Sequence, residues 1–176
     1  MFAPRQNSVL GIDPGLTRCG YAVLQQIGGT EISLTALGVL RTSPGKDLSN
    51  RLAEIATEID ALLDEYQPSV VAVERIFFQA NVRTAMSVGQ VSGLVLSAAA
   101  RRGLEVVQYS PNQVKLAITG WGGADKAQVQ KMVKQRLKLN SIPKPADAAD
   151  AAAIALCHIA TSPLAAKIAQ SIGGKK

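Results

Sequence analysis

Two cysteines in 176 residues, Cys19 and Cys157, are too few for a disulfide framework. They are expected as buried free thiols in a reducing compartment. No apolar run approaches the roughly 20 residues that span a bilayer. Residues Met1 to Ser8 lack the apolar core of a signal peptide, so the chain is expected in the cytoplasm and away from membranes. There is no internal repeat and no domain linker. The expectation is one domain over residues 8–160, an N-terminal extension over 1–7 and a basic tail over 161–176.

Acidic charge is scarce in the second half. Residues 1–100 hold 7 Lys/Arg and 9 Asp/Glu, whereas residues 101–176 hold 12 Lys/Arg and 4 Asp/Glu. Such asymmetry points to a polyanion-binding face built mainly from the second half, with Lys115 to Lys144 as its densest part.

What is present reads as an α/β domain. Val9 to Asp13 is a buried strand ending on a carboxylate, with a Pro14-Gly15 turn after it. Tyr21 to Gln26 and Glu31 to Thr42 read as two more strands joined at Gly28-Gly29, which makes an antiparallel meander. Leu48, Leu52, Ile55, Ile59 and Leu62 line one face of a helix that Pro68 ends. Val70 to Val73 is a continuous apolar strand ending at Glu74, a second core strand that delivers a carboxylate. A small-residue helix follows from Val82 to about Ala100, with Gly89 and Gly93 four apart, and then a strand from Glu105 to Tyr109. Pro111 to Ile118 reads as a short helical turn, and Asp125 caps a helix running to about Leu139. In that helix Val129, Met132, Val133 and Leu137 face inward, and Lys131, Lys134, Arg136 and Lys138 do not. A last helix spans about Asp147 to Ala160. The order predicts a mixed five-stranded sheet, antiparallel first and parallel later, flanked by helices.

Four carboxylates stand out. Asp13 and Glu74 end strands expected to be neighbours, and Asp147 and Asp150 lie three apart on one face of a helix made of small apolar residues. An N-cap or dipole role accounts for one helix aspartate, Asp147, and poorly for the other. Carboxylates gathered together repel, by roughly 1–4 kcal/mol for a pair about 4 Å apart. Such a cluster calls for bound cations or for protons. Hard divalent ions such as Mg²⁺ or Mn²⁺ suit oxygen ligands. Two of them about 3.5–4 Å apart promote phosphodiester hydrolysis. On spacing alone, a metal-dependent nuclease and a structural role both remain open.

The chain resembles the RuvC Holliday-junction resolvases. The resemblance rests on Gly11-Ile12-Asp13-Pro14-Gly15 with Thr17 and Gly20, Val73-Glu74 with Phe77-Phe78, and Asp147-Ala148-Ala149-Asp150-Ala151 with Ala153-Ile154-Ala155. Gly89-Gln90, Tyr109-Ser110-Pro111 with Val114-Lys115, and Lys126 with Gln128-Val129 lie between them in the same order. The resemblance implies a ribonuclease H-like fold, a homodimer and paired symmetric nicks in four-way DNA junctions. These would leave ligatable 5′-phosphate and 3′-hydroxyl ends, in concert with the RuvA and RuvB branch-migration proteins. It implies that Asp13, Glu74, Asp147 and Asp150 are catalytic and hold the metal ions, that Phe77 stacks on a base, and that Lys115 and Lys126 serve near the scissile phosphate. Phe78 is expected to pack in the core. Lys131 and Lys134 extend the expected DNA face.

Other readings use some of the same residues. A nuclease cutting the RNA of an RNA–DNA hybrid needs the same carboxylates. The Asp13, Gly15 and Thr17 spacing also fits the phosphate loop of actin–hexokinase ATPases, but those need a second similar domain that this length does not supply. A catalytically silent junction-binding module is at odds with a complete tetrad. Trp121, the only tryptophan, either contacts DNA or packs, and His158 is expected to be structural.

Overall fold

The computed structural model describes residues 7–28, 30–75 and 82–162. Gly29 of the expected turn, Phe77, Phe78 and the tail beyond residue 162 lie outside them. Five strands and five helices follow in the order β1 (Ser8–Asp13), β2 (Arg18–Gly28), β3 (Glu31–Arg41), α1 (Leu48–Tyr66), β4 (Val70–Glu74), α2 (Val82–Arg101), β5 (Glu105–Tyr109), α3 (Pro111–Thr119), α4 (Lys126–Arg136) and α5 (Ala146–Thr161). The sheet order is β3-β2-β1-β4-β5. The first three strands pair antiparallel, whereas β1–β4 and β4–β5 pair parallel. This is the expected meander followed by parallel strands.

Strand alternation sorts the core into two layers. Leu10 and Ile12 of β1, with Val71 and Val73 of β4, pack under α1 and α2 beside Ile55, Ile59, Val91 and Val95. Val9 and Ala72 turn the other way, toward α3, α4 and α5. Asp13 and Glu74 share the parity of Val9 and Ala72, so both carboxylates belong to the α5 face. Register adds to this, because Ile12 stands beside Val73 in the parallel pair and the next residue on each strand is a carboxylate.

The α5 helix lies against the sheet because its own side chains and the strand opposite are small. Ala148, Ala149, Ala151, Ala152, Ala153 and Ala155 are buried. A Cβ placed on Gly20 would come within 2.6 Å of the Asp147 carbonyl carbon, and one on Gly11 within 2.9 Å of the Ala155 Cβ. Two glycines on the sheet therefore set how closely the helix seats, and with it where Asp147 and Asp150 stand.

Four expectations need correction. The residue capping α5 is Pro145, with no side-chain cap bond, and Asp147 sits inside the first turn. The helix expected to reach Leu139 stops at Arg136, because Lys138 adopts φ 52°. Lys138 N–H then bonds the Gln135 carbonyl at 3.2 Å and Leu139 N–H the Lys134 carbonyl at 2.9 Å, a Schellman closure without glycine. The segment from Pro111 is more than a turn. It is a nine-residue helix opened by a Ser110–Gln113 capping box. Of the apolar face expected on α1, Leu48 is exposed, at the first residue of the helix. Among the described residues, no helix is long and apolar enough to cross a membrane.

Gly20→Ala is expected to lower stability by about 1–3 kcal/mol, since the clashing partner is backbone and cannot rotate away. A denaturant titration unchanged from wild type would show that the α5 contact does not limit packing.

Candidate active site

The site forms where three chain ends meet. β1 ends in Asp13, β4 ends in Glu74, and α5 begins just before Asp147 and Asp150. Gly20, the register partner of Asp13, lies under the Asp147 backbone. The N-terminus of α5, with its partial positive charge, therefore sits at the same end of the sheet as Asp13.

Electrostatics link the four acids. Burial, then Glu74, Asp150 and Asp147 in that order, push the Asp13 carboxyl up to about 8, against Lys126. Burial also raises Glu74, with Asp150 adding to it and Lys126 opposing it. Two cations meet the cluster. Lys126 Nζ donates to Asp150 Oδ2 at 2.6 Å, and Arg18 Nε lies 3.2 Å from Asp147 Oδ2. Attraction to Asp150, Asp13 and Asp147 holds Lys126 above the usual lysine range, the hydrogen bond to Asp150 being the largest cause.

Four hard oxygen donors, one of them held protonated to about pH 8 by burial first and by its acidic neighbours second, fit the chemistry of a divalent cation site. As arranged, no three acidic, histidine or cysteine residues among those described group closely enough to ligate one ion. Asp147 is paired with Arg18 and Asp150 with Lys126.

The turn that leaves Asp13 is braced from the opposite side. Arg51 on α1 donates from Nη2 to Thr17 Oγ1 at 2.8 Å and from Nε to Thr42 Oγ1 at 2.9 Å. The Thr42 hydroxyl donates to the Leu16 carbonyl at 2.6 Å. Thr17 thus fastens the turn to α1. Buried Cys19 lies close enough for Asp13 and Asp147 to add to the burial that pushes its thiol up to about 12.

Of the other expected residues, Lys126 alone joins the carboxylates. Lys115 on α3 is half-buried and is not among the charges that shift Asp13 or Glu74. Lys131 is exposed and Lys134 half-buried on α4, outside the cluster. Phe77 lies outside the described residues. His158 is structural, as expected: it is buried, its Nδ1 is 2.9 Å from the Tyr109 hydroxyl, and burial lowers its pKa. Both cysteines are free and buried, also as expected. Sequence reading missed Arg18. Its signal was strand parity, since Arg18 shares a face of β2 with Gly20, two residues on.

The unfolded aspartate titrates near 3.8 and folded Asp13 near 8. Between these values the folded state binds the extra proton, so stability falls as pH rises through that window. With chelator present, the thermal midpoint is expected to decline from pH 5 to pH 8. Asp13→Asn is expected to flatten the decline and to melt several degrees above wild type at pH 8. Parallel curves for the two proteins would contradict a buried charge at this position.

Comparison with known proteins identifies the family. The family model described as crossover junction endodeoxyribonuclease RuvC matches residues 9–158. The chain is 49% identical over 164 residues to the crossover junction endodeoxyribonuclease RuvC of Streptomyces avermitilis, covering 93% of each. It is 51% identical over 163 residues to that of Saccharopolyspora erythraea, covering 93% of this chain and 82% of the relative. A structure of Thermus thermophilus RuvC in complex with a Holliday junction substrate matches with a TM-score of 0.85 at 38% identity, over 90% of this chain and 96% of that one. The yeast mitochondrial Holliday junction resolvase shares the fold, with a TM-score of 0.68 at 17% identity over 99% of this chain and 86% of that one. The fold is ribonuclease H-like, as the sequence led one to expect. The chain belongs to the RuvC family of crossover junction endodeoxyribonucleases.

Proposed function

We propose that this chain resolves four-way (Holliday) DNA junctions by metal-dependent phosphodiester hydrolysis, with Asp13, Glu74, Asp147 and Asp150 as its catalytic carboxylates. The observation that carries the reading is that burial, together with the neighbouring acids Glu74, Asp150 and Asp147, holds the Asp13 carboxyl up to about 8. Membership of the RuvC family, and the junction bound in the Thermus thermophilus structure, support the choice of substrate.

Asp13, Glu74, Asp147 and Asp150 would hold Mg²⁺ or Mn²⁺. Their four negative charges suit two ions, which would supply an activated water and neutralise charge on the scissile phosphate. The chain's own contribution is position and charge. Asp13 and Glu74 sit on the ends of paired strands, which hold them rigidly. Asp147 and Asp150 ride on a helix seated through Gly11 and Gly20. Lys126 and Arg18 keep positive charge beside the acids and can offset charge that builds on a phosphate.

The basic second half serves as the DNA face, through Lys115, Lys131 and Lys134, with Phe77 stacking on a base at the opened crossover. The active unit is a homodimer that makes paired symmetric nicks and leaves 5′-phosphate and 3′-hydroxyl ends, working with RuvA and RuvB in the cytoplasm. A two-fold protein matches a two-fold junction. The α2 face carrying Gly89 and Gly93 suits the dimer contact, since a Cβ on Gly93 would meet nothing within 4 Å. Residues 8–160 form the nuclease domain, and the basic tail over 161–176 is an accessory to it.

A mobile four-way junction incubated with Mg²⁺ or Mn²⁺ is expected to receive two symmetric nicks. Asp13→Asn and Glu74→Gln are expected to slow cleavage by roughly a hundredfold or more while leaving junction binding within a few-fold of wild type. Cleavage at the wild-type rate by either variant would remove these residues from the site. Cleavage of a linear RNA–DNA hybrid in preference to the junction would assign the chain to the other substrate.

A further inference from the structure

Trp121 is the chain's only tryptophan, and 61% of it is exposed on the connection between α3 and α4. Large exposed apolar side chains elsewhere among the described residues are all aliphatic. Solvating an indole is unfavourable, and a protein surface commonly keeps one where it takes up a partner.

The connection is held in shape. Gly120 closes α3 with φ 79° and donates to the Leu116 carbonyl at 2.9 Å. Trp121 N–H donates to the Thr119 hydroxyl at 3.2 Å, and Ala124 N–H donates to the Trp121 carbonyl at 3.2 Å. The Asp125–Gln128 capping box then starts α4. The indole lies against Gly123, where a Cβ would come within 2.7 Å of the ring. The ring is thus displayed from a braced backbone and is spared much of the ordering loss on binding.

Beside the indole is a pocket of about 310 Å³ whose walls include Thr119, Gln128, Lys131, Met132 and Gln135. No acidic side chain among the described residues lines it. The side chains of Lys131 and Gln135 make no hydrogen bond or ion pair with any described residue. A flat aromatic surface, amide groups and an unpaired cation are the components that take up a nucleotide: a ring to stack on, polar groups for the base edge, and a charge for the phosphate. The setting suits the same ligand, because this helix also carries Lys126, which reaches Asp150, and adds Lys134 and Arg136 in its last turn.

We propose that Trp121 and its pocket are a DNA-binding subsite beyond the carboxylate cluster, in which an unpaired base of the junction stacks on the indole while Lys131 meets the adjoining phosphate. This inference rests on the junction-resolving reading and adds a named contact to it.

The single tryptophan makes the test direct. The full-length chain is titrated with a four-way junction in EDTA, so that nothing is cut, while tryptophan emission and the anisotropy of a labelled junction are followed. Emission is expected to be quenched with the midpoint that anisotropy gives. Quenching by a short oligothymidylate is expected to exceed that by a blunt duplex. Trp121→Ala is expected to weaken junction binding roughly tenfold and Trp121→Phe much less. Lys131→Ala is expected to reduce the slope of log affinity against log salt by about one phosphate's worth. Unchanged emission while anisotropy reports binding would overturn the subsite, as would wild-type affinity in Trp121→Ala or equal quenching by the blunt duplex. If the unquenched protein still nicks the junction in Mg²⁺, only the subsite falls. If the junction is neither bound nor cut, the junction-resolving reading falls and takes the subsite with it.

Discussion

Repulsion among carboxylates that cannot move apart governs this molecule's working end. Asp13 terminates a strand buried on both faces, and Glu74 terminates the strand paired with it. Neither can swing away without undoing sheet register, because successive residues of both strands are committed to opposite cores. The α5 helix brings two more acids to the same end. The conflict is relieved in three ways on the same few residues: Asp13 keeps a proton to about pH 8, Arg18 meets Asp147, and Lys126 meets Asp150. A divalent cation would relieve it in a fourth, and the stored repulsion then becomes affinity for that cation.

The packing that imposes this conflict is unusually dependent on small residues. An α5 surface of alanines faces β1 and β2 at Gly11 and Gly20, and side chains there would meet helix backbone. Small residues give up part of the apolar area that a leucine-rich helix would bury. What they provide is proximity, since the helix N-terminus and its two aspartates are set down beside the strand ends. On the other layer Leu10, Ile12, Ile55 and Ile59 fill the space under α1 and α2.

Much of this could be read from the chain. Alternation, apolar runs and turn signals located the five strands, apolar periodicity located α1, and small-residue composition located α2 and α5. The Asp125–Gln128 pair identified the start of α4, and a capping box is visible in sequence because it is local. The departures have equally definite causes. Lys138 takes a left-handed conformation that ordinarily favours glycine, so nothing in its residue type announced the end of α4. Asp147 looked like a cap because aspartate often is one, yet Pro145 holds that position and Arg18, distant in sequence, claims the carboxylate.

Sequence alone determined the order of elements, the direction of strand pairing, the four acids and the family, because each depends on residues close together in the chain or on motifs in a set order. Tertiary structure decided which acids feel one another, and how strongly. That depends on distance and burial between segments 61 to 137 residues apart in number, and a one-dimensional pattern carries neither. It also decided that Thr17 braces a turn against Arg51, that His158 is bound to Tyr109, and that Trp121 stands in solvent beside a basic pocket. A residue's type sets what it can do, and the neighbours that folding supplies select which of those things it does.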